Sequence, residues 1–133
     1  MANAVLPATK KAALDAILAT GTAKAYLIDT AVYTYSSAHD FLADIPSGAR
    51  IGSAVTLQNV TTTDGVLDAD DVSFTGLVAA PTIEAVAICV DTGVEATSRF
   101  LCYIDTATGL PVSAGATQVD VAWSNGANKI FKL

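Results

Sequence analysis

Beyond Gly21 the hydrophobic positions fall into short runs, rich in β-branched and aromatic residues and broken by Gly, Asp, Thr, Ser and Asn. Many such runs in succession predict an all-β sandwich or barrel. They place strands at Lys24 to Asp29, Val32 to Tyr35, Arg50 to Leu57, Gly65 to Leu67, Val72 to Leu77, Ile83 to Asp91, Arg99 to Asp105, Gln118 to Trp123 and Lys129 to Leu133. In Ile83 to Asp91 both alternating sets are apolar, with Ala85, Ala87 and Cys89 on one side and Val86, Ile88 and Val90 on the other. That strand is therefore expected at the centre of a sheet, covered on both faces.

Two stretches carry a helical pattern instead. In TKKAALDAILAT, Thr9 to Thr20, the side chains of Leu14, Ile17 and Leu18 share one face, and Gly21 stands where it can end the helix. Lys10 and Lys11 lie at the end where positive charge opposes the helix dipole, so this helix needs a surface to pack on. Residues 1–21 read as an arm or short helix ahead of a single β-rich domain, 22–133. AHDFLADI, Ala38 to Ile45, predicts one short internal helix capped by Ser36 or Ser37 and ended by Pro46 and Gly48. The fold class is thus mainly β, an antiparallel sandwich or barrel-like domain with a short helix at each of these places. LIDTA at 27–31, CVDTG at 89–93 and YIDTATG at 103–109 echo one another as strand exits, since Asp and Thr side chains bond nearby backbone amides in turns. Their irregular spacing is not that of a repeat architecture.

Composition adds a reason to expect partners. The 133 residues fit one domain. They are 52% hydrophobic and 15% charged, with a mean hydropathy of +0.48. An ordinary domain has about a quarter of its residues charged, so part of this surface is expected to be covered by other chains. Apolar runs such as Ala85 to Val90 fall far short of the roughly 20 residues that span a bilayer, and no secretory signal is read at the N-terminus. Thirteen acids against seven bases give a charge of -6 and a pI near 4.3, which opposes binding to a phosphate backbone. Neither membrane nor nucleic acid is expected as a partner.

The residue types that usually carry chemistry do not converge. Asp64, Asp68, Asp70 and Asp71 form the densest acidic cluster, but without the spacing and closing Glu of an EF-hand they read as a solvated turn. His39 is the single histidine, and Ser36, Ser37 and Asp40 beside it read as turn and cap residues. Cys89 and Cys102 lie in apolar segments without metal-ligand spacing and read as two reduced, buried thiols, although the segment between them would let them meet across a hairpin. Gly-rich phosphate loops are missing, and SNGAN, Ser124 to Asn128, reads as a tight turn between strands ending at Trp123 and starting at Lys129. Tyr26, Tyr33, Tyr35, Tyr103 and Trp123 read as scattered core and rim residues. The expectation is no catalytic residue, no cofactor, no metal and no enzyme activity.

KAYLIDTAVYTYSSAHDFLADIPSGARIGSAVTL, DGVLDADDVSF, DTGVEATSRFLCYIDTATGLPV and AWSNGANKIFKL together resemble a family of small structural proteins encoded in tailed-phage genomes. Nearly the whole chain after Lys24 takes part, and the likeness is to a pattern of strands, turns and a short helix. It carries no catalytic motif, so no functional residue is transferred. The first twenty or so residues depart from the commoner pattern, in which a strand or basic helix leads into the KAYLIDT-like strand.

The resemblance implies a virion protein made in the host bacterial cytoplasm. Its first form is a capsid decoration, or cement, protein bound to the major capsid protein on the outer shell, with self-association and residues 1–21 as docking arm. A tail, tail-fibre attachment or baseplate protein is the alternative, although a fibre would be expected to continue beyond KIFKL. A carbohydrate-binding β-sandwich module is a further one, for which Trp123 with Asn125 and Asn128 is the nearest candidate site.

Overall fold

The computed structural model describes residues 3–133. Its strands are β1 (Thr22–Ile28), β2 (Arg50–Thr56), β3 (Val66–Leu67), β4 (Val72–Phe74), β5 (Ala85–Asp91), β6 (Arg99–Ile104), β7 (Val119–Val121) and β8 (Phe131–Lys132). Four of them form an antiparallel sheet in the order β2-β1-β5-β6, while β3 with β8 and β4 with β7 form two-stranded antiparallel ribbons. The chain is mainly β, as its texture predicts, and sandwich-like, with no closed barrel among the described residues.

β5 is central, and its residues Ala85 to Val90 are buried on both sides. One face of the sheet presents Ala25, Leu27, Val86 and Ile88 to a core completed by Val72 and Phe74 of β4, Val119 and Val121 of β7, and Trp123. The opposite face presents Tyr26, Ile28, Ala85, Ala87 and Cys89 to a second core closed by Tyr33, Leu42, Ile45 and Ala49 from the β1–β2 connection. Apolar residues at both parities are what a sheet covered on both faces requires.

The three Asp-Thr segments are strand exits, as expected. The Asp29 carboxylate accepts the Ala31 N–H at 2.9 Å, and the Asp91 carboxylate accepts the Gly93 N–H at 2.8 Å. Asp105 follows the last residue of β6 directly. The turn at Asp29 also explains why Val32 to Tyr35 is no strand. The Asp29 carbonyl accepts the N–H groups of both Val32 and Tyr33, so the chain curls where the alternation of Tyr33 and Tyr35 suggests extension.

Ala38 to Ile45 does not form the expected helix either. Asp40 to Leu42 lie along the outer edge of β6, where Phe41 bridges Arg99, Phe100 donates its N–H to the Asp40 carbonyl and Leu42 donates to Ser98. Only Leu42–Asp44 turns, as a 3-10 helix, and the Asp44 carboxylate accepts the N–H groups of Asp40 and Phe41. Those two bonds hold Asp44 below the usual carboxylate range. Ser36 accepts from the Ala38 N–H in a local turn, and Gly48 sits inside a second 3-10 turn, Ser47–Ala49. Edge pairing has outcompeted a helix too short to nucleate alone.

The N-terminal helix, α1, spans Pro7–Leu18, starting earlier than expected because Pro7 takes the first turn, where its missing N–H is no loss. Leu14 is its buried residue. Lys11 bridges to Asp15 at 2.7 Å and reaches Thr62 at 3.1 Å, while the Thr62 hydroxyl donates to Asp15. At the neighbouring 3-10 turn, Thr63–Gly65, a Cβ on Gly65 would collide with Lys10. The helix is therefore seated on the body of the protein. Gly21 serves a close passage rather than a helix stop, because a Cβ there would run into the backbone carbonyl of Asp91.

Candidate functional site

Two members of the acidic cluster, Asp70 and Asp71, are engaged within the chain itself. Asp71 accepts the Trp123 N–H at 2.9 Å, the Asp70 carbonyl accepts the indole N–H at 3.0 Å, and the Asp70 carboxylate accepts from Asn59 at 2.6 Å. Among the described residues no group of three or more His, Cys, Asp or Glu could hold a metal ion. Trp123 is 5% exposed and belongs to the core, in line with its reading as a core or rim residue, so its ring is not open for stacking on a sugar beside Asn125 and Asn128. The SNGAN turn is present, with Lys129 donating to the Gly126 carbonyl, but the flanking strands β7 and β8 pair with β4 and β3 and are not hairpin partners. No helix among the described residues is long and apolar enough to cross a membrane.

The His39 ring pairs with neither serine hydroxyl, and only its backbone N–H donates to the Ser36 carbonyl. Its Nδ1 lies 2.8 Å from the Tyr33 hydroxyl, and the two rings are tilted with centroids 5.4 Å apart. This contact belongs to a larger aromatic cluster that sequence reading leaves scattered. Tyr33 also sits 6.3 Å from Phe100 and 6.2 Å from Tyr103, and Tyr103 stacks on Tyr35 at 5.1 Å with 28° between the planes. Tyr33 is buried, Tyr103 is half-buried and Tyr35 is 54% exposed, so the cluster runs from the core to the surface.

A β-bulge makes this possible. Phe100 and Tyr103 are three residues apart, and in a regular strand they would point to opposite faces. The register of β6 against β5 shifts between Ile88 and Cys89, so that Cys102 pairs with Ile88 while Phe100 pairs with Cys89. Leu101 is the extra residue, and both Phe100 and Tyr103 pack on the second core.

Tyr103 separates two surface depressions. One, of about 200 Å³, is lined by Tyr35, Ser36, His39 and Phe100 among others; the other, of about 370 Å³, is lined by Thr30, Glu84, Asp105 and Pro111. Burial, and then the nearby charges of Asp105 and Glu84, push the Tyr103 phenol above its ordinary pKa, so it stays a neutral hydroxyl. A larger cleft, of about 620 Å³, lies between α1, the start of β1 and Val60–Thr63, where the mutually bonded Lys11, Asp15 and Thr62 occupy its polar wall.

No protein-family model and no curated protein sequence matches the chain.

Proposed function

We propose that this protein is an assembly component that works by packing on other protein chains, in its most specific form a decoration protein on the outer capsid of a tailed phage. The observation that carries the docking part is the segment ahead of α1. Asn3 to Leu6 are all exposed, with Val5 at 59% and Leu6 at 66%. This apolar stretch leads into a helix that is itself seated by Leu14, and it presents hydrophobic side chains to solvent. Covering what remains exposed of Val5 and Leu6 would contribute about 1–2 kcal/mol each, modest for one copy and large for many copies on a lattice.

The placement on the outer shell rests on the family resemblance and on the charge of -6, which disfavours a position against packaged DNA. Major capsid subunits are then the partners, bridged across their seams, and self-association accompanies lattice binding. A tail or baseplate position is the competing reading.

The test adds full-length protein, and protein lacking residues 1–6, to shells that lack it, then counts bound copies and measures heat resistance. The truncation stops before Pro7 because Leu14 is part of the folded body. Full-length binding with a stabilised shell, reduced by the truncation, is expected. Equal binding by both forms removes the arm from the proposal, and density for the protein only in the tail ends the capsid reading.

A further inference from the structure

The SNGAN turn holds a reactive junction that the fold leaves open to water. Of the asparagines Asn3, Asn59, Asn125 and Asn128, only Asn125 precedes a glycine. A backbone nitrogen that attacks the side-chain carbonyl of the residue before it closes a five-membered ring, and a Cβ on the attacking residue crowds that closure. Asn125 and Gly126 are both exposed, and the Gly126 N–H donates to the Ser124 hydroxyl at 3.0 Å, a bond within the loop that water can replace. Asn59 is held instead. Its carboxamide donates to Asp70 at 2.6 Å, its φ is +52, and the next residue is the β-branched Val60. Asn3 and Asn128 are exposed, but Ala4 and Lys129 after them each carry a Cβ. Asp64–Gly65 is the other place where an acid or amide precedes glycine, and there Gly65 is buried with its N–H tied to the Thr62 carbonyl at 2.9 Å.

From this we infer that Asn125 is a self-modification site, converted in the folded protein to aspartate and isoaspartate through a cyclic imide closed by the Gly126 nitrogen. The Gly126 N–H gives its proton to solvent base, and the nitrogen forms a bond to the side-chain carbonyl carbon of Asn125. The bond from that carbon to the amide nitrogen of the side chain breaks, and ammonia leaves after taking up a proton. Water then opens the ring. Attack at the side-chain carbonyl restores the ordinary backbone as aspartate, and attack at the main-chain carbonyl leaves the backbone running through the side chain as isoaspartate. The sum consumes one water, releases one ammonia and oxidises nothing, and it makes the chain one charge more negative than -6. The fold accommodates either product because the chain is pinned on both sides of the turn. The Trp123 N–H is held by Asp71 at 2.9 Å and the Ile130 N–H by the Leu67 carbonyl at 3.0 Å, so the change falls in the exposed loop between them. An uncharged turn, Ser124 to Asn128, thereby becomes an anionic one on an intact domain, wherever that domain docks.

The test incubates the folded full-length protein in mildly alkaline buffer made with heavy-oxygen water, then maps its peptides by mass spectrometry with the two isomers separated. Asn125 should take up one heavy oxygen and yield both products, with isoaspartate as the mark of the ring. Asn3, Asn59 and Asn128 should convert at least about tenfold more slowly, each being followed by a residue with a Cβ. Gly126→Ala should slow conversion at Asn125 at least about tenfold, a barrier higher by about 1.4 kcal/mol or more. That variant should still fold, because a Cβ at Gly126 meets the Ser124 hydroxyl oxygen at 3.2 Å, an exposed group that can turn aside. Asn125→Gln, which would need a six-membered ring, should abolish the reaction and leaves Gly126 in place. Thermal unfolding of both variants, and of the converted protein, confirms that the domain is intact. Conversion that occurs only after unfolding overturns the inference, as do equal rates at Asn59 or Asn128. Aspartate without isoaspartate, or a rate untouched by Gly126→Ala, also overturns it.

Discussion

Cys89 and Cys102 lie on neighbouring strands yet face opposite sides of the sheet. Cys89 packs with Tyr26 and Ala87 in the second core, whereas Cys102 pairs with Ile88 and packs against the first. No rotamer brings their sulfurs together through the sheet, and both are free thiols. Burial pushes each thiol up to about 12, so neither is a ready nucleophile near neutral pH. Alkylation of the native protein should therefore be slow, and alkylation after unfolding without reductant should add two labels. A mass two hydrogens short with no label added would contradict the sheet register.

Phe74 of β4 is the largest fully buried side chain of the first core, 1% exposed, on the ribbon that β4 forms with β7. Phe74→Ala should destabilise the fold by about 3–5 kcal/mol, read as a lower denaturant midpoint with an unchanged slope. A loss below about 1 kcal/mol would mean that the β4–β7 ribbon is not the lid of that core.

Gly109 has φ +104, and a Cβ there would run into the Asp120 carbonyl of β7. Gly109→Ala combines a forbidden backbone region with a backbone collision and should cost about 2 kcal/mol or more. Gly93, at φ +89, has open space around it, so Gly93→Ala should be the milder change of the two. Thermal unfolding of the pair separates strain from collision.

Acid should weaken the protein through paired carboxylates. Asp91 is held below its ordinary pKa first by the Lys24 hydrogen bond and then by the Gly93 N–H, and Asp44 first by the Phe41 N–H and then by that of Asp40. A carboxyl with a folded pKa below its unfolded value contributes stability that is full above the unfolded pKa, about 3.9, and is lost as pH falls through the folded one. Stability should thus be level with respect to these groups from neutral pH down to about pH 5 and decline below about pH 4. Asp91→Asn should lower the plateau and flatten that acid slope, as chemical unfolding at several pH values would show.

What the sequence disclosed and what it withheld divide along physical lines. β5 was legible because AVAICV is apolar at both parities, and the turns at Asp29 and Asp91 because a carboxylate beside a backbone amide is a local event. The Val32 to Tyr35 alternation misled because the same Asp29 turn captures Val32 and Tyr33, and the AHDFLADI pattern misled because the exposed edge of β6 offers its backbone better partners than a short helix does. The aromatic cluster was hidden by a single residue. Only the bulge at Leu101 puts Phe100 and Tyr103 on one face, and a bulge leaves no mark in the order of side chains. Trp123, read from the sequence as a core or rim residue, lies in the core, but its bonds to Asp70 and Asp71, far away in sequence, were not legible there.

The pairing of β1 with β5 also sets a schedule for the newborn chain. Lys24 and Asp91, joined at the end of that pair, are 67 residues apart. At roughly 5–20 residues per second, the ribosome delivers β5 some 3 to 13 seconds after β1. Until then the apolar strand Thr22–Ile28 waits without its central partner, and the hairpin with β2 is the cover within its reach. A cell making many copies at once holds many such waiting strands at the same moment, so the yield of folded protein should depend on synthesis rate and temperature more steeply than the stability of the finished domain would suggest.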